Sequence, residues 1–509
     1  MSRVLSAALV GVDGIPVEVE VRISAQLPRI DVVGLPAAAV RESAARVRAA
    51  IHSVGLSFPE RRITVNLAPA ELRKTGAGLD LPIAVAILRQ SGAIDVPDGG
   101  GPALVGELAL DGRLRPIRGA LALALAVRDA GASTLVVPRE NGAEIALAPG
   151  LRGLVADHLS EVVAHLLGAG PLEPAVAAPH GDAPIDGPDL RDVRGQEAAK
   201  RALEIAAAGG HALLMRGAPG AGKTMLARRL GGLLPSLPPE DALEVAKIHG
   251  AAGVKRAPGD TTRPFRAPHH TASTAGLLGG GSPPRPGEVS LAHHGVLFLD
   301  ELPEFQRRTL ESLRQVLEER RVVVARASLT CSFPADLQLV AAANPCPCGW
   351  YGSGRRDCAC DEGTIGRYAA RMSGALLDRV DLFVDVQPVA WRELDAGPIG
   401  EDSRTVGARV VQARRRQQDR GVRSNAHLSD AVLEARVGAT AGARELLGRV
   451  VDRFGLSARS ARRVLKVSRT IADLAGSDAI GPDAIAEALG YRAETGRLAD
   501  RPAGAREGR

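Results

Sequence analysis

A short apolar run, a glycine-rich octapeptide and a helix-forming run follow one another, and this succession constrains the fold most. Residues 212–216 fit a short buried strand, and residues 225–230 favour a helix. Backbone N–H groups of such a loop, together with the start of the helix, converge on phosphate oxygens. The sequence therefore predicts a P-loop nucleotide site in an α/β domain. The octapeptide consists of Gly217, Ala218, Pro219, Gly220, Ala221, Gly222, Lys223 and Thr224.

Two further apolar runs end in polar residues that suit the same site. Residues 296–299 lead into Asp300 and Glu301, and residues 337–343 lead into Asn344. Alone, the acidic pair fits a solvated turn and the asparagine fits a capping residue before a proline. After a P-loop, both fit the polar ends of strands that converge on bound phosphate.

Each of these side chains has an expected task in phosphoryl transfer. We expect Lys223 to reach the β- and γ-phosphates and Thr224 to bind Mg²⁺ through its hydroxyl. Asp300 would hold the same ion, while Glu301 would polarise the attacking water. Asn344 would contact the γ-phosphate or orient that water. The predicted cofactors are therefore ATP and Mg²⁺.

Composition sharpens this interpretation. The chain has 58 arginines but only six lysines, so a lysine at position 223 fits a need for a compact ammonium. Net charge is +6, and residues 401–509 alone carry +7, which is compatible with nucleic acid. No apolar run approaches the roughly 18 residues that span a membrane. The first residues lack a signal-peptide pattern, so we expect a cytoplasmic protein without a membrane partner.

Changes of pattern divide the chain. We predict an α/β domain, a proline-rich linker, a second α/β domain, a helical region and a disordered tail, spanning residues 1–168, 169–189, 190–395, 396–498 and 499–509. A cysteine-rich insert interrupts the second α/β domain at residues 345–362. Predicted strands include residues 17–21, 62–67 and 134–138; predicted helices include residues 81–90, 429–437, 441–454, 457–474 and 481–488.

Six further blocks strengthen the P-loop interpretation. Together with the motifs above, they resemble the magnesium-chelatase-like AAA+ ATPases of the YifB/ComM type. The resemblance extends to about residue 495. It implies an α/β fold with a Lon-protease-like N-terminal domain, an AAA+ P-loop NTPase core with a parallel sheet, and a C-terminal helical lid. The blocks lie at residues 192–196, 263–270, 286–293, 344–349, 376–382 and 470–474.

The resemblance also implies roles for individual residues. Asp300 and Glu301 correspond to the Walker B motif, and Asn344 corresponds to sensor 1. Arg379 matches the arginine finger, and Arg459 matches the sensor 2 arginine. An arginine supplied by a neighbour both accelerates hydrolysis and couples subunits, and the family pattern implies a homohexameric ring. An ordinary surface salt bridge remains the alternative for either arginine.

In related ATPases, two inserted elements line a central pore. They correspond here to residues 261–284 and 320–332. The second has a valine run flanked by Arg320, Arg321 and Arg326, which suits a hairpin that contacts DNA phosphates. An ordinary basic edge hairpin is the alternative. Because the chain has only twelve aromatic residues, we expect salt-sensitive phosphate contacts rather than base stacking.

Four of the five cysteines crowd into fifteen residues. Cys346, Cys348, Cys358 and Cys360 form a C-x-C…C-x-C pattern that could close a tetrahedral zinc site. Free thiols and a redox pair are the alternatives. Cys331 fits a lone core cysteine. For the histidine pairs at 269–270 and 293–294, loop or pore contacts are the favoured interpretation over a second metal site.

The N-terminal domain lacks the dyad of a Lon-type protease. Such proteolysis needs a serine nucleophile and a lysine base. Lys74 is the one lysine in the first 170 residues, and the segment 74–80 holds no serine. The segment 114–119 offers arginine, which stays protonated and cannot act as the base. We therefore predict a non-proteolytic module for assembly or substrate contact.

The leading functional prediction is an ATP-driven DNA motor. The resemblance implies a hexameric helicase or branch-migration factor acting on recombination intermediates, such as those of natural transformation. The alternative is a chelatase-type motor subunit that drives metal insertion into a porphyrin. Such subunits lack the extra N-terminal domain, and this chain shows no D-x-S-x-S motif of the usual partner. An ATP-dependent protease is a third possibility, which the missing dyad opposes.

Overall fold

The computed structural model describes most of the chain, in nine stretches: residues 2–74, 76–96, 101–177, 187–326, 329–372, 374–396, 400–429, 432–433 and 438–492. The predicted tail at 499–509, part of the predicted linker, and most of the predicted helix at 429–437 lie outside these residues. The described residues form a mixed α/β structure with a parallel central sheet.

The N-terminal region contains two four-stranded sheets and six helices among its described residues. Its elements are β1 (Ser2–Val10), β2 (Asp13–Ser24), β3 (Arg29–Val33), α1 (Ala38–Arg41), α2 (Ser43–Ser53), β4 (Arg62–Ala68), α3 (Asp80–Ser91), β5 (Ala103–Leu104), β6 (Glu107–Leu108), β7 (Leu114–Arg115), α4 (Ala120–Asp129), β8 (Thr134–Pro138), α5 (Gly142–Ile145), β9 (Arg152–Ala156), α6 (Leu159–Leu166) and β10 (Glu173–Pro174).

Both sheets follow from the apolar patterning. The first has the order β1-β2-β4-β3, and the second has the order β10-β9-β8-β5. Val17, Val19 and Val21 alternate along β2 and are buried, as the period of two predicts. The predicted strands at 62–67 and 134–138 and the predicted helix at 81–90 are confirmed within β4, β8 and α3.

The central region surrounds a five-stranded sheet. Its elements are α7 (Glu197–Gly209), β11 (Leu213–Arg216), α8 (Lys223–Arg229), α9 (Pro239–Ala252), β12 (Phe265–Arg266), α10 (Thr274–Leu278), β13 (Gly279–Gly280), β14 (Arg285–Pro286), α11 (Glu288–Leu291), β15 (Val296–Leu299), α12 (Arg307–Glu319), β16 (Arg321–Arg326), β17 (Leu329–Pro334), β18 (Gln338–Ala343), α13 (Glu362–Arg371), α14 (Gly374–Leu377), β19 (Leu382–Asp385) and α15 (Trp391–Ala396).

The order of the central strands gathers the motifs at one edge. The sheet runs β12-β15-β18-β11-β19, and every pairing in it is parallel. The strand that enters the P-loop, β11, therefore lies between β18 and β19. Because parallel strands all end at the same edge, the residues that follow β11, β15 and β18 meet there.

Four longer helices dominate the described C-terminal residues. They are α16 (Ser403–Asp419), α17 (Ala441–Phe454), α18 (Ala458–Leu474) and α19 (Pro482–Gly490). The helices predicted at 441–454, 457–474 and 481–488 are confirmed. Their apolar faces join those of α7 and the central sheet in one buried cluster. None of the described helices is long and apolar enough to cross a membrane.

The turn between β1 and β2 packs on the central region. Val12 belongs to the apolar cluster that also contains Phe333 of β17. Asp13 pairs with Lys247 of α9, with 2.8 Å between the Asp13 Oδ1 and Lys247 Nζ atoms. The backbone N–H of Gly119 donates to the Gly250 carbonyl at 3.1 Å. Apolar and polar contacts thus fix the N-terminal region on the central one.

Candidate nucleotide site and arginine surface

The P-loop begins where β11 ends, and two of its glycines are sterically required. A Cβ at Gly217 would lie 2.2 Å from the carbonyl oxygen of Val386, closer than any side chain tolerates. Gly222 has a φ of 97°, in the left-handed region that favours glycine. α8 starts at the next residue, Lys223. The predicted sequence of strand, loop and helix is therefore present.

The ammonium group of Lys223 is held inside the loop. Its Nζ donates to the carbonyl oxygens of Gly217 at 2.7 Å and Ala218 at 3.0 Å, and to Oδ1 of Asn344 at 3.0 Å. The residue is only 8% exposed. Burial lowers the pKa of Lys223, while the two carboxylates after β15 act in the opposite direction. The geometry brings the lysine and asparagine motifs together at one point.

A hydroxyl and a carboxylate meet beside this lysine. The Thr224 Oγ1 atom donates to Oδ2 of Asp300 at 2.6 Å. Mg²⁺ prefers such hard oxygen ligands and usually takes one or two from the protein, leaving the rest to phosphate and water. Thr224 and Asp300 would therefore hold a Mg²⁺ ion, which would supply positive charge beside bound phosphate.

Glu301 has an unusual backbone and an unforeseen partner. Its φ is 52°, in the left-handed region that a residue with a side chain seldom adopts. Its Oε2 atom lies 3.2 Å from Nδ1 of His270, which follows β12. The sequence motifs did not link these two residues, although both follow strands of one parallel sheet. His270 is thus placed to orient the Glu301 carboxylate.

The four clustered cysteines converge. The Cys346–Cys348, Cys346–Cys358 and Cys348–Cys358 sulfur pairs are 3.4, 3.6 and 3.6 Å apart. All four sulfurs, including that of Cys360, lie within 4.8 Å of one another. Zn–S bonds of about 2.3 Å in a tetrahedron place sulfurs about 3.7 Å apart. The cluster therefore fits a zinc ion.

The cysteine cluster also touches the P-loop. A Cβ at Gly349, which follows the first cysteine pair, would lie 2.4 Å from Cδ of Pro219. Gly349 has a φ of 82°, so both its backbone and its lack of a side chain are required. The loop and the insert are consequently in direct contact. Cys331 lies elsewhere and is buried, as predicted for a core cysteine.

Two predicted catalytic arginines, Arg379 and Arg459, bind the same carboxylate, that of Glu318. We call these three residues the arginine surface. Arg379 is 5% exposed at its side chain, and its Nη2 atom donates to Oε1 of Glu318. Arg459 donates to the same oxygen at 3.3 Å. Arg463 donates to the Arg379 carbonyl and to Asp381, both at 2.7 Å. Burial and the nearby charge of Arg459 lower the pKa of Arg379 to about 10.

The arginine surface and the P-loop lie at opposite edges of the sheet. In the register of β11 and β19, Leu213 pairs with Leu382 and Arg216 pairs with Asp385. Arg379 comes before the start of β19, whereas the P-loop follows the end of β11. Four residues of strand separate these edges by about 13 Å. Within one chain, Lys223, Asp300, Glu301 and Asn344 are together; Arg379 and Arg459 form a separate group.

The three arginines predicted to contact DNA differ in position and in ion-pair partners. Arg320 directly follows α12, and its Nε atom lies 3.6 Å from Oδ1 of Asp336. Arg321 lies 3.6 Å from Oε2 of Glu319 at the base of the β16–β17 hairpin. Arg326 is the last residue of β16, toward the tip. The predicted hairpin is therefore present, but only Arg326 of the three lies near its tip.

The histidine pair at 293–294 corrects a prediction. We expected loop or pore contacts, but His293 and His294 are 4% and 8% exposed. Each places Nε2 3.2 Å from Oε2 of Glu244, and Arg423 contacts Nδ1 of His294 at 2.9 Å. The three side chains could surround a cation. The guanidinium beside them instead makes the group an internal ion-pair network that ties α9 to the C-terminal helices.

The contacts of Lys74 fit a structural role. Its side chain is buried, and Nζ donates to the carbonyl oxygens of Gly34 at 3.1 Å and of Pro69. Burial lowers the pKa of Lys74. An ammonium that caps backbone carbonyls helps to hold the segment after β3 against the segment after β4.

Family models match most of the chain. Residues 189–394 match the model described as magnesium chelatase, subunit ChlI. Residues 19–141 match the model for subunit ChlI of Mg-chelatase, and residues 400–492 match the model for the C-terminal part of that subunit. The three matches cover all three regions of the structure.

Individual relatives match from end to end. The protein YifB of Salmonella typhimurium is 44% identical over 500 residues, which is 97% of either chain. YifB of Escherichia coli is 44% identical over 496 residues, again 97% of either chain. The competence protein ComM of Haemophilus influenzae is 42% identical over 499 residues and 97% of either chain.

Proposed function

Because this chain belongs to the magnesium chelatase subunit ChlI family and to its YifB/ComM type, we propose that it is an ATP-hydrolysing AAA+ motor that acts on DNA. In this proposal it assembles as a homohexameric ring. It works as a helicase or branch-migration factor on recombination intermediates of the natural-transformation type. The mixed α/β structure with its parallel sheet is consistent with a P-loop core of the AAA+ type.

The residues at the carboxyl edge of the sheet supply the chemistry of ATP hydrolysis. Lys223 already points its ammonium into the loop and would meet the β- and γ-phosphates. Thr224 and Asp300 would hold Mg²⁺, whose charge would offset that of the phosphates. Glu301, oriented by His270, would draw a proton from the attacking water. Asn344 would hold that water or the γ-phosphate in line.

The separation of the arginine surface from the P-loop carries the proposal. Arg379 and Arg459 lie at the sheet edge away from their own Lys223, so neither is arranged to act on its own phosphate. A head-to-tail ring would bring the arginine surface of one subunit to the P-loop of the next. The positive charge would then stabilise the transition state in trans. The ring is homohexameric by family resemblance.

The outer regions have assigned parts in this proposal. Residues 1–168 form a Lon-protease-like but non-proteolytic domain. The predicted linker at 169–189 begins later than expected, because β10 (Glu173–Pro174) still pairs with β9 of that domain; the linker leads to the motor core at 190–395. Residues 396–498 form a helical lid that carries Arg459 next to Arg379. The missing serine–lysine dyad supports a role for the N-terminal domain in assembly or substrate contact rather than in cleaving protein.

We also propose that the cysteine insert at 345–362 holds structural zinc. The sulfur spacings support four thiolate ligands. The insert is rich in glycine and arginine and has little to bury, so a metal would supply the missing stability. Its contact with Pro219 would then keep the P-loop in place.

DNA as the substrate is supported by two observations. One relative over 97% of the chain is a competence protein. The C-terminal residues carry a surplus of positive charge, and Arg326 stands at the end of β16 near the hairpin tip. The chelatase-type alternative is not favoured, because relatives of the YifB and ComM type match the chain in full.

The deciding experiment measures ATP hydrolysis by the purified full chain with no DNA, single-stranded DNA, duplex DNA and a four-way junction. We expect at least one DNA structure to raise the hydrolysis rate several-fold. We also expect the four-way junction to be separated, without cleavage, into its product duplexes. Negative-stain images with a non-hydrolysable ATP analogue should show six-membered rings.

The matched control repeats every measurement with the Lys223→Ala variant, which should neither hydrolyse ATP nor separate the junction. A rate that is the same with and without every DNA, together with an intact junction, would contradict the DNA motor. Stimulation by a porphyrin and a chelatase partner instead of DNA would favour the alternative.

A further inference from the structure

A cavity of about 600 Å³ lies between the N-terminal region and the motor core. Its volume is in the range of about 300–1,000 Å³ that ligand sites occupy. The N-terminal wall includes residues 7–11, 76–79 and 116–118. The wall from the core includes residues 282–285 and Arg326. The lining does not include the P-loop or the arginine surface.

Four arginines line the cavity, two from either side. Arg73 and Arg118 belong to the N-terminal region, and Arg285 and Arg326 belong to the core. All four are exposed. Within the described stretches of the chain, none of them forms an ion pair with a carboxylate. This sets them apart from Arg320 and Arg321, which both have acidic partners.

The lining contains little negative charge to balance these arginines. Glu107 is the acidic side chain among the described lining residues, and it lies 3.7 Å from Arg115 outside the cavity. The remaining lining combines apolar side chains with glycine backbone. A Cβ at Gly76 would meet no atom within 4 Å, so the backbone there is open to a ligand. Unbalanced guanidinium groups beside accessible backbone favour a phosphate-bearing ligand.

The walls of the cavity include segments that the sequence analysis singled out for other reasons. The segments 76–79 and 116–118 fall where the resemblance to Lon-type proteases would put a nucleophile and a base, and here they line an arginine-rich space. The core side includes Arg326, the last residue of β16 in the hairpin. It also includes Arg285 of β14, which directly follows the insert at 261–284. Nη2 of Arg326 lies 3.6 Å from the position that a Cβ would take at Gly280, so hairpin and insert adjoin.

We propose that this cavity binds the sugar-phosphate backbone of a nucleic acid single strand as the strand passes the hairpin. This inference rests on the proposed DNA motor and extends it, because it gives the N-terminal region a direct strand contact. A strand is favoured over a free nucleotide because the arginines are spread over both walls. Arg326 lies on the hairpin predicted to line the pore, and Arg285 directly follows the insert at 261–284. The apolar part of the lining would accommodate sugars and bases.

The test compares two double variants of the full chain. Arg73→Ala with Arg118→Ala removes two cavity arginines. The matched control, Arg61→Ala with Arg152→Ala, removes two exposed arginines of the same region that do not line the cavity. Fluorescence anisotropy would follow a labelled 20-residue oligothymidine across a salt series. The nucleotide site would be saturated with Mg²⁺ and a non-hydrolysable ATP analogue.

We expect the cavity variant to bind the strand about tenfold more weakly at low salt. The slope of log K against log salt should fall by about 1.4, since each lost phosphate contact removes about 0.7 for single strands. The control should change neither quantity. Restoring charge alone, with Arg73→Lys and Arg118→Lys, should recover most of the slope. Thermal melting would verify that all variants are folded.

Three outcomes would overturn the inference. If wild type and cavity variant bind the strand with equal affinity and slope, the cavity is not a strand site, although the DNA motor still stands. If free dTMP displaces the oligothymidine at equal phosphate concentration, the ligand is a nucleotide and the strand assignment is wrong. If wild type binds no DNA and dTMP does not raise its melting temperature, the cavity inference fails together with the DNA motor.

Discussion

The two edges of the central sheet differ in the side chains that they bring together. At the carboxyl edge, Lys223 donates a hydrogen bond to Asn344, and Thr224 donates one to Asp300. At the amino edge, Arg379 and Arg459 converge on Glu318, away from the P-loop of their own chain. One edge gathers the residues predicted to bind nucleotide, while the other gathers arginines away from that site. In the proposed ring, nucleotide would be bound within one subunit, and hydrolysis would need the arginines of its neighbour.

The first prediction tests the carboxyl edge and has the largest expected effect. Lys223→Ala should abolish ATP hydrolysis and weaken nucleotide binding strongly, because the ammonium at the loop is lost and the Asn344 amide loses its partner. Steady-state hydrolysis and equilibrium binding of a fluorescent ATP analogue would measure both losses. Lys255→Ala, at an exposed lysine of the core, is the control and should behave as wild type. A normal rate in Lys223→Ala would refute the P-loop assignment.

The second prediction tests whether the amino edge serves a neighbour. Arg379→Ala should lower hydrolysis about 10³-fold, the size of effect that arginine fingers supply. Nucleotide binding should stay close to wild type, since Arg379 is far from its own P-loop. Single-turnover hydrolysis and analogue binding, measured side by side, separate the two effects.

Mixing two inactive variants sharpens this test. In rings assembled from equal amounts of Lys223→Ala and Arg379→Ala chains, about one quarter of the interfaces would pair an intact P-loop with an intact arginine surface. Hydrolysis should therefore return to roughly that fraction of the wild-type rate. A mixture as inactive as its components would show that Arg379 acts within its own chain and would remove the distinction between the two edges.

The third prediction concerns the support of the carboxyl edge. Cys348→Ser should lower the melting temperature and weaken ATP binding about three- to tenfold, or roughly 1 kcal/mol, because the insert would no longer press Gly349 against Pro219. A strong zinc chelator should reproduce both effects in wild type, and metal analysis should find one zinc per chain. Cys331→Ser changes a cysteine outside the cluster and should leave ATP affinity unchanged. Full ATP affinity in zinc-free protein would uncouple the insert from the loop.

The two edges also differed in how far the sequence could predict them. The carboxyl edge was predictable because its motifs directly follow apolar strands, and parallel strands end together. The spacing of the cysteines likewise indicated a cluster. By contrast, the shared bond of Arg379 and Arg459 to Glu318 depends on how α12, the start of β19 and α18 pack. No local pattern encodes that packing, so Glu318 was not foreseen.

Other residues were missed for the same physical reason. His270 reaches Glu301 only because β12 and β15 are neighbours in the sheet. His293 and His294 looked suited to a loop or pore, but the packing of α9 against the turn before β15 buries them with Glu244. The three arginines flank one valine run in sequence, yet carboxylates at the base of the hairpin pair with Arg320 and Arg321. Partners from other segments therefore decided the surroundings of the histidines and of Arg320, whereas Arg321 pairs with the nearby Glu319.

The last prediction has the smallest effect and acts on the arginine surface alone. The carboxylate of Glu318 accepts hydrogen bonds from Arg379 and Arg459. In the proposed ring it would compete with the phosphate of a neighbouring subunit for the same guanidinium groups. Glu318→Gln keeps the shape and an acceptor oxygen but removes the charge. We expect KM for ATP in the assembled ring to fall about threefold, the size of a modest charge interaction. kcat should change little, because the arginines themselves remain.

Comparison with the next residue makes this test specific. Glu319→Gln removes an equal charge from the end of α12, but Glu319 pairs with Arg321 rather than with the arginine surface. It should leave KM unchanged. Nucleotide affinity of Glu318→Gln at concentrations too low for ring assembly should also match wild type, since the carboxylate is remote from its own P-loop. A higher KM in the ring would mean that Glu318 positions the arginines for the neighbouring phosphate instead of competing with it, and the amino edge would then be a preassembled half-site.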